Sequence, residues 1–171
     1  MWKPFFAGIL VAVVVIVFGV AILGLGFNPS ALPNPGRLET RVANMGKHWL
    51  IARYASRGSI KLPPATEETL AGSDMNFRGE CANCHGMDGR TPSDIGNSMY
   101  PRVLDLGSPE VQQFSDAELF WIIQNGIRLS GMPGFAKTLT NEQIADMVVY
   151  VRQLGKSPNA QETGAGTQPA Q

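Results

Sequence analysis

The chain has 171 residues, room for one domain with appendages. Fourteen basic and fourteen acidic side chains cancel to a formal net charge of zero, which gives no footing for nucleic-acid binding. Twelve prolines and nineteen glycines fit a small, loop-rich fold.

The zero hides an uneven distribution. Residues 37–57 carry five bases (Arg37, Arg41, Lys47, Arg53, Arg57) and one acid, Glu39. Residues 66–156 carry seven bases and twelve acids. A basic collar therefore precedes an acidic domain.

From the amino terminus, Phe5 to Phe27 is a 23-residue run without a charge. As a helix it would reach roughly 34 Å, enough to cross a bilayer. A secretory signal normally has a shorter apolar core and a small-residue cleavage site. Gly24-Leu25-Gly26-Phe27-Asn28-Pro29 offers no such site, so an uncleaved anchor over 5–27 is expected. Lys3 in front and Arg37 and Arg41 behind leave the positive-inside count ambiguous.

Residues 28–65 read as linker and helix. Pro29, Pro33 and Pro35 make an extended spacer. From Leu38 to Arg57, the residues Leu38, Val42, Met45, Trp49 and Ala52 recur at helical spacing and form one apolar stripe. Two uses fit that stripe: an amphipathic helix on a membrane surface, or a helix packed on the following domain or a partner subunit. Gly58 ends the helix and Lys61-Leu62-Pro63-Pro64 extends the chain again.

The domain proper spans 66–156. Thr66 is a candidate N-cap, with Glu67 and Glu68 in the first turn, where the helix dipole favours them. That helix carries Leu70 and Phe77 inward and delivers Cys81-Ala82-Asn83-Cys84-His85. Two thiols three residues apart, followed at once by a histidine, form a covalent haem attachment signature. Each thiol adds across one vinyl group, and the imidazole then falls where it ligates iron. A disulfide redox pair would need a βαβ context, and a zinc site would want four ligands. The sequence supplies neither, and Cys81 and Cys84 are its only cysteines.

Met87 to Pro109 is rich in breakers and reads as a loop around one side of the haem. Ser115-Asp116-Ala117-Glu118 is a capping box opening a helix through Leu119, Ile122 and Ile123 that stops near Gly126. Thr140-Asn141-Glu142-Gln143 opens a second, with Ile144, Met147, Val148 and Val151 on one side. Residues 157–171 lack periodicity and are expected to be disordered.

Phe77, the Cys81–Gly86 stretch, Asn125-Gly126-Ile127, Gly131-Met132-Pro133 and the last helix ending Val149-Tyr150-Val151-Arg152-Gln153-Leu154 together resemble a class I c-type cytochrome domain. The whole chain is similar to membrane-anchored, single-haem cytochromes of bacterial respiratory chains. The resemblance implies an all-α fold: a cytochrome c-like haem domain behind one transmembrane helix and an amphipathic linker helix. It also implies haem attachment outside the cytoplasm, hence a periplasmic domain on the inner membrane. It implies that a proline carbonyl, Pro92 or Pro101, orients His85, and that Gly72 and Gly79 pack where the first and last domain helices cross.

His85 is the expected proximal ligand. Met132 is the expected distal one, because Gly131, Pro133 and Gly134 make a rigid loop that approaches closely. Met99 and His48 are the competitors. Met75 and Met147 are expected core filler, and His48 is expected to face solvent or headgroups. Phe77, Leu104, Trp121, Ile127, Leu129 and Phe135 are expected to wall the pocket. The leading functional expectation is a tethered one-electron carrier, not an enzyme, with one covalent haem c and redox partner proteins. The alternatives are a fixed subunit of a larger membrane oxidoreductase complex, or a haem enzyme or gas sensor with a labile sixth ligand.

Overall fold

The computed structural model describes residues 2–26, 30–55 and 60–156. Their order is α1 (Lys3–Gly26), α2 (Arg37–Ala55), α3 (Glu67–Glu80), α4 (Ala82–His85), α5 (Asp94–Ser98), α6 (Pro109–Gln112), α7 (Asp116–Asn125) and α8 (Asn141–Lys156). No strand occurs among the described residues, in keeping with the all-α expectation. The expected helix stop at Gly58 and the tail 157–171 lie outside the described residues. The chain divides into two compact units between Ser30 and Ala31.

The first unit is α1, 24 residues long. Its side chains from residue 5 to residue 21 are all exposed. Among the described residues, no helix is long and apolar enough to cross a membrane. The expected transmembrane helix is thus not established by the fold.

The second unit is built on the packing of α3 against α8. Thr66 caps α3, its hydroxyl accepting from the Thr69 N–H at 3.2 Å. Phe77 and Ser73 are fully buried, and Phe77 meets Tyr150 with ring centroids 5.1 Å apart. Ile144, Met147, Val148 and Val151 line the buried side of α8, as their spacing predicts. Two sequence expectations fail here. A methyl group at Gly72 or Gly79 would meet open space, so neither glycine serves the packing. The small residue on the buried side is Ser73, whose hydroxyl is satisfied by the Thr69 carbonyl at 2.7 Å. Met75, expected in the core, is 73% exposed, whereas Met147 is buried.

Ser115 and Glu118 form both arms of a capping box on α7, and Gly126 ends it with φ 71°. Thr140 and Gln143 exchange the same pair of bonds at the start of α8. Arg152 then locks α8 to the 112–116 segment, donating to Asp116 Oδ1 at 2.8 Å and to the Gln112 and Phe114 carbonyls.

α2 packs on α7. It buries Ile51 and Ala55, stacks His48 on Phe114 at 4.4 Å, and stacks Tyr54 on Trp121 at 5.9 Å. Asn44 donates to Glu110 Oε1 at 3.3 Å. His48 therefore faces the domain, not solvent or headgroups. The apolar stripe lies elsewhere: Leu38, Val42, Met45 and Trp49 are each more than half exposed. Upstream, Asn34 accepts from Arg102 Nε at 2.6 Å, and Glu39 accepts from the Tyr100 hydroxyl.

Gly72 weakens α3 without a packing return. Glycine inside a helix costs roughly 0.5–1 kcal/mol relative to alanine. Gly72→Ala is therefore expected to stabilise the holoprotein by about that amount in denaturant titrations, with the visible spectrum unchanged. A destabilised variant would mean that the 72 position packs after all.

Candidate haem site

The end of α3 sets the first thiol. The Cys81 N–H still bonds the Phe77 carbonyl at 2.8 Å, and α4 begins at the next residue. The Cys84 and His85 N–H groups both return to the Cys81 carbonyl, at 3.1 and 3.0 Å. Both thiols and the imidazole thus sit on one tight turn. Gly86 leaves that turn at φ 77°, and a Cβ there would run into the Thr91 carbonyl oxygen. Only glycine fits that position.

The chain then folds back and clamps the turn. Asp88 accepts from the Arg90 and Thr91 N–H groups at 2.9 and 2.8 Å, and from the Thr91 hydroxyl at 2.9 Å. The Ser93 N–H reaches the Cys84 carbonyl at 3.2 Å, and its hydroxyl reaches the Asn83 carbonyl at 2.5 Å. A Cβ on Gly96 would meet the Cys84 carbonyl. The haem motif is therefore clamped by close backbone approach at Gly86 and Gly96 and by the Ser93 hydroxyl.

His85 Nδ1 lies 3.3 Å from the Leu104 carbonyl oxygen. A carbonyl only accepts, so Nδ1 carries the proton and Nε2 keeps its lone pair for a metal. The acceptor is neither Pro92 nor Pro101. Two backbone bonds explain this: Val103 N–H to Gly96 at 3.3 Å, and Leu106 N–H to Gly89 at 3.0 Å. They lay residues 103–106 across the loop and bring Leu104, between them, to the imidazole. Burial pushes the His85 pKa down, partly offset by the Leu104 bond. A neutral imidazole is the form that ligates metals.

The thiols are not joined to one another. Burial, with Glu80 and Cys84 adding, pushes the Cys81 thiol up to about 12. Dithiol redox motifs depend on a lowered thiol pKa, and the shift at Cys81 runs the other way. Among the described residues, no cluster of three or more His, Cys, Asp or Glu is arranged to hold a metal, which removes the zinc alternative.

Met132 sits on the loop after α7. Its carbonyl accepts from the Ile127 N–H at 3.2 Å, and its N–H donates to Ser130 Oγ at 3.2 Å. A Cβ on Gly126 would fall 2.5 Å from the Pro133 carbonyl carbon, and one on Gly134 would fall 2.6 Å from that of Asn125. The loop thus closes backbone on backbone, as its glycines and proline predict. Cys81, Leu104, Ile127 and Met132 all pack, partly buried, against one hydrophobic core. Met99 places its sulfur where a Cβ of Gly131 would stand, so it neighbours the Met132 loop. His48 is engaged on Phe114 instead.

Of the expected pocket wall, Phe77 and Phe135 are buried, and Leu104, Trp121 and Ile127 pack against the core. Leu129 does not belong to it: it is 92% exposed with φ 64°. Sequence reasoning missed the Leu104 carbonyl, the Asp88 turn and the Ser93 clamp. The Asp-Gly pair at 88–89 is a turn signal that points to the second. A backbone acceptor leaves no mark in side-chain identity, so the first has none.

These residues fit a covalently held haem: two separate thiols on one turn, an imidazole with a fixed tautomer, and a thioether on a rigid loop. A family model described as "Cytochrome C oxidase, cbb3-type, subunit III" matches residues 69–151. The cytochromes c6 of Thermosynechococcus vestitus (strain NIES-2133 / IAM M-273 / BP-1) and Thermostichus vulcanus are each 32% identical over 89 residues, 52% of this chain and 73% of theirs. The solved structure of the KustC0563 c-type cytochrome shares 28% identity at a TM-score of 0.43, covering 48% of this chain and 95% of that one. The chain belongs to the cytochrome c family. It is a c-type electron carrier with a covalently bound haem c.

The Asp88 turn makes a pH prediction. Burial opposes its charge, but the bonds from Thr91 and Arg90 outweigh burial and hold its carboxyl below the ordinary range. A lowered folded pKa stabilises above the ordinary carboxylate range and is lost as pH falls through the lowered value. Asp88→Asn is expected to be less stable than the parent at neutral pH, with the gap closing below about pH 4. Denaturant midpoints measured across pH check this; a gap constant with pH would refute it.

Proposed function

We propose that this chain is a membrane-tethered carrier that passes single electrons between respiratory-chain components on the periplasmic side of the inner membrane. One observation carries the redox part: the tautomer of the partly buried His85 is fixed by Leu104, beside two unpaired thiols, in a chain of the cytochrome c family. The haem, when bound, supplies the one-electron couple of its iron. Cys81 and Cys84 fasten it through thioether bonds, and His85 Nε2 takes the proximal side. Met132, on its closed loop, would supply the second iron ligand. A neutral thioether favours the less charged, reduced iron and so raises the potential relative to a second imidazole. A haem held by both His85 and Met132 would leave no open position for oxygen, which favours the carrier over an enzyme or gas sensor. Phe77, Leu104, Ile127 and Phe135 keep water from the site, so the charge change meets little solvent reorganisation.

The tether rests on α1. The support for it is the sequence pattern and not the length of the described helix. No charged residue occurs from Phe5 to Phe27. The acidic haem domain would dock weakly on a basic partner face, with affinity that falls as salt rises. A fixed subunit of a larger complex is the second reading, favoured by the oxidase-subunit description of the matching family model.

Membranes made with an active haem-ligation machinery should retain the chain through an alkaline carbonate wash. Gentle solubilisation should then release it alone by size. Release by carbonate would refute the tether, and co-migration with a large assembly would favour the fixed subunit. For the ligand, Met132→Ala should abolish the near-infrared sulfur-to-iron band and lower the potential by on the order of 0.1 V. Met99→Ala should keep the band; the reverse pattern would move the distal ligand to Met99.

A further inference from the structure

We propose that the outer face of α2 is a second membrane contact, which lays the haem domain on an anionic lipid surface. The helix has two sides. Asn44, Lys47, His48, Ile51 and Ala55 turn toward the acidic domain, where Lys47 also pairs with Glu110 at 4.0 Å. Leu38, Val42, Met45 and Trp49 lie more than half exposed on another side. At 100° per residue, Arg41 and Arg53 flank that stripe on its two edges. Both are exposed, and the Arg53 guanidinium lies over the Trp49 ring at 5.6 Å. Apolar residues bordered by arginines, with a tryptophan among them, match the boundary between acyl chains and headgroups.

Charge selects the sign of the surface. Glu39 is the one acid in α2, and it is engaged by the Tyr100 hydroxyl and by the Gly36 N–H at 3.2 Å. The edges of the stripe are thus cationic. Residues 66–156 carry twelve acids and seven bases, so an anionic surface repels the haem domain and attracts α2. Reach is satisfied as well. Only residues 27–36 separate α1 from α2, at most about 36 Å of chain.

This contact rests on the tether reading, because α1 supplies the lipid surface within reach. Both native cysteines are consumed by the haem, so an introduced cysteine is the sole free thiol. The full-length holoproteins Met45→Cys and, as the reference, Glu67→Cys take a nitroxide label in protein-free vesicles containing phosphatidylglycerol. The collision ratio of oxygen over a nickel chelate is expected to be severalfold higher at 45 than at 67. The contrast should shrink in pure phosphatidylcholine, and also when Arg41→Gln and Arg53→Gln are added. Equal ratios at 45 and 67 would overturn the proposal. So would dipolar broadening at 45, which means a second copy covers the stripe, or protection that needs added membrane proteins. Retention of the same vesicle samples through carbonate reads α1 alone, so a failed tether and a failed surface contact give different results.

Discussion

The bond between His85 Nδ1 and the Leu104 carbonyl governs the chemistry that the rest of the domain makes available. A protonated Nδ1 leaves Nε2 as the only ring atom with a lone pair, so the imidazole presents one fixed atom to a metal. That bond exists because residues 86–106 fold back over the turn that holds both thiols. The fold-back needs two positions without side chains, Gly86 and Gly96, because carbonyl oxygens stand where their Cβ atoms would be. It also needs a floor that does not move. The α3–α8 pair, with Phe77 and Val148 fully buried, provides that floor. Local turn chemistry, core packing and tautomer are thus successive links of one chain of causes.

What the sequence discloses and what it hides follow from how local each interaction is. Helix starts at Thr66, Ser115 and Thr140 are legible because a cap lies within three residues of its partner. The buried side of α8 is legible because four large apolar residues repeat at helical spacing. The haem motif is legible because its spacing is dictated by the porphyrin. The Leu104 acceptor is invisible, since any residue offers the same carbonyl. Gly72 and Gly79 mislead because a glycine that packs and a glycine that faces water read alike. Leu129 misleads for a related reason. Its left-handed backbone turns an apolar residue out of the pocket that its neighbours line.

α2 shows a different limit of periodicity. The stripe of Leu38, Val42, Met45 and Trp49 is real, yet it is not the side that packs on α7. Besides Ile51, the packed side uses an imidazole stacked on Phe114, a tyrosine ring on Trp121, and one alanine. Such residues count as polar, amphipathic or small in a hydropathy pattern, although their ring faces and methyl groups bury well. A helix of this composition has two surfaces to cover, and the domain covers one.

The zero net charge of the chain is therefore a sum of two surfaces with separate tasks. The basic residues of α2 gather on a helix that the acidic domain holds through Glu110, paired with Lys47, and through the Tyr100 hydroxyl, which donates to Glu39. Several acids of the haem domain are paired within it, Asp74 with Arg78, Asp105 with Arg90 and Asp116 with Arg152, and the excess acids give it a net negative charge. An electron carrier gains from that separation. Charges that favour docking on a partner would, if mixed evenly, weaken attraction to lipid and to protein alike. Held apart, as in the proposed lipid contact, each sign would act on one surface, and the haem domain would present one orientation to a partner.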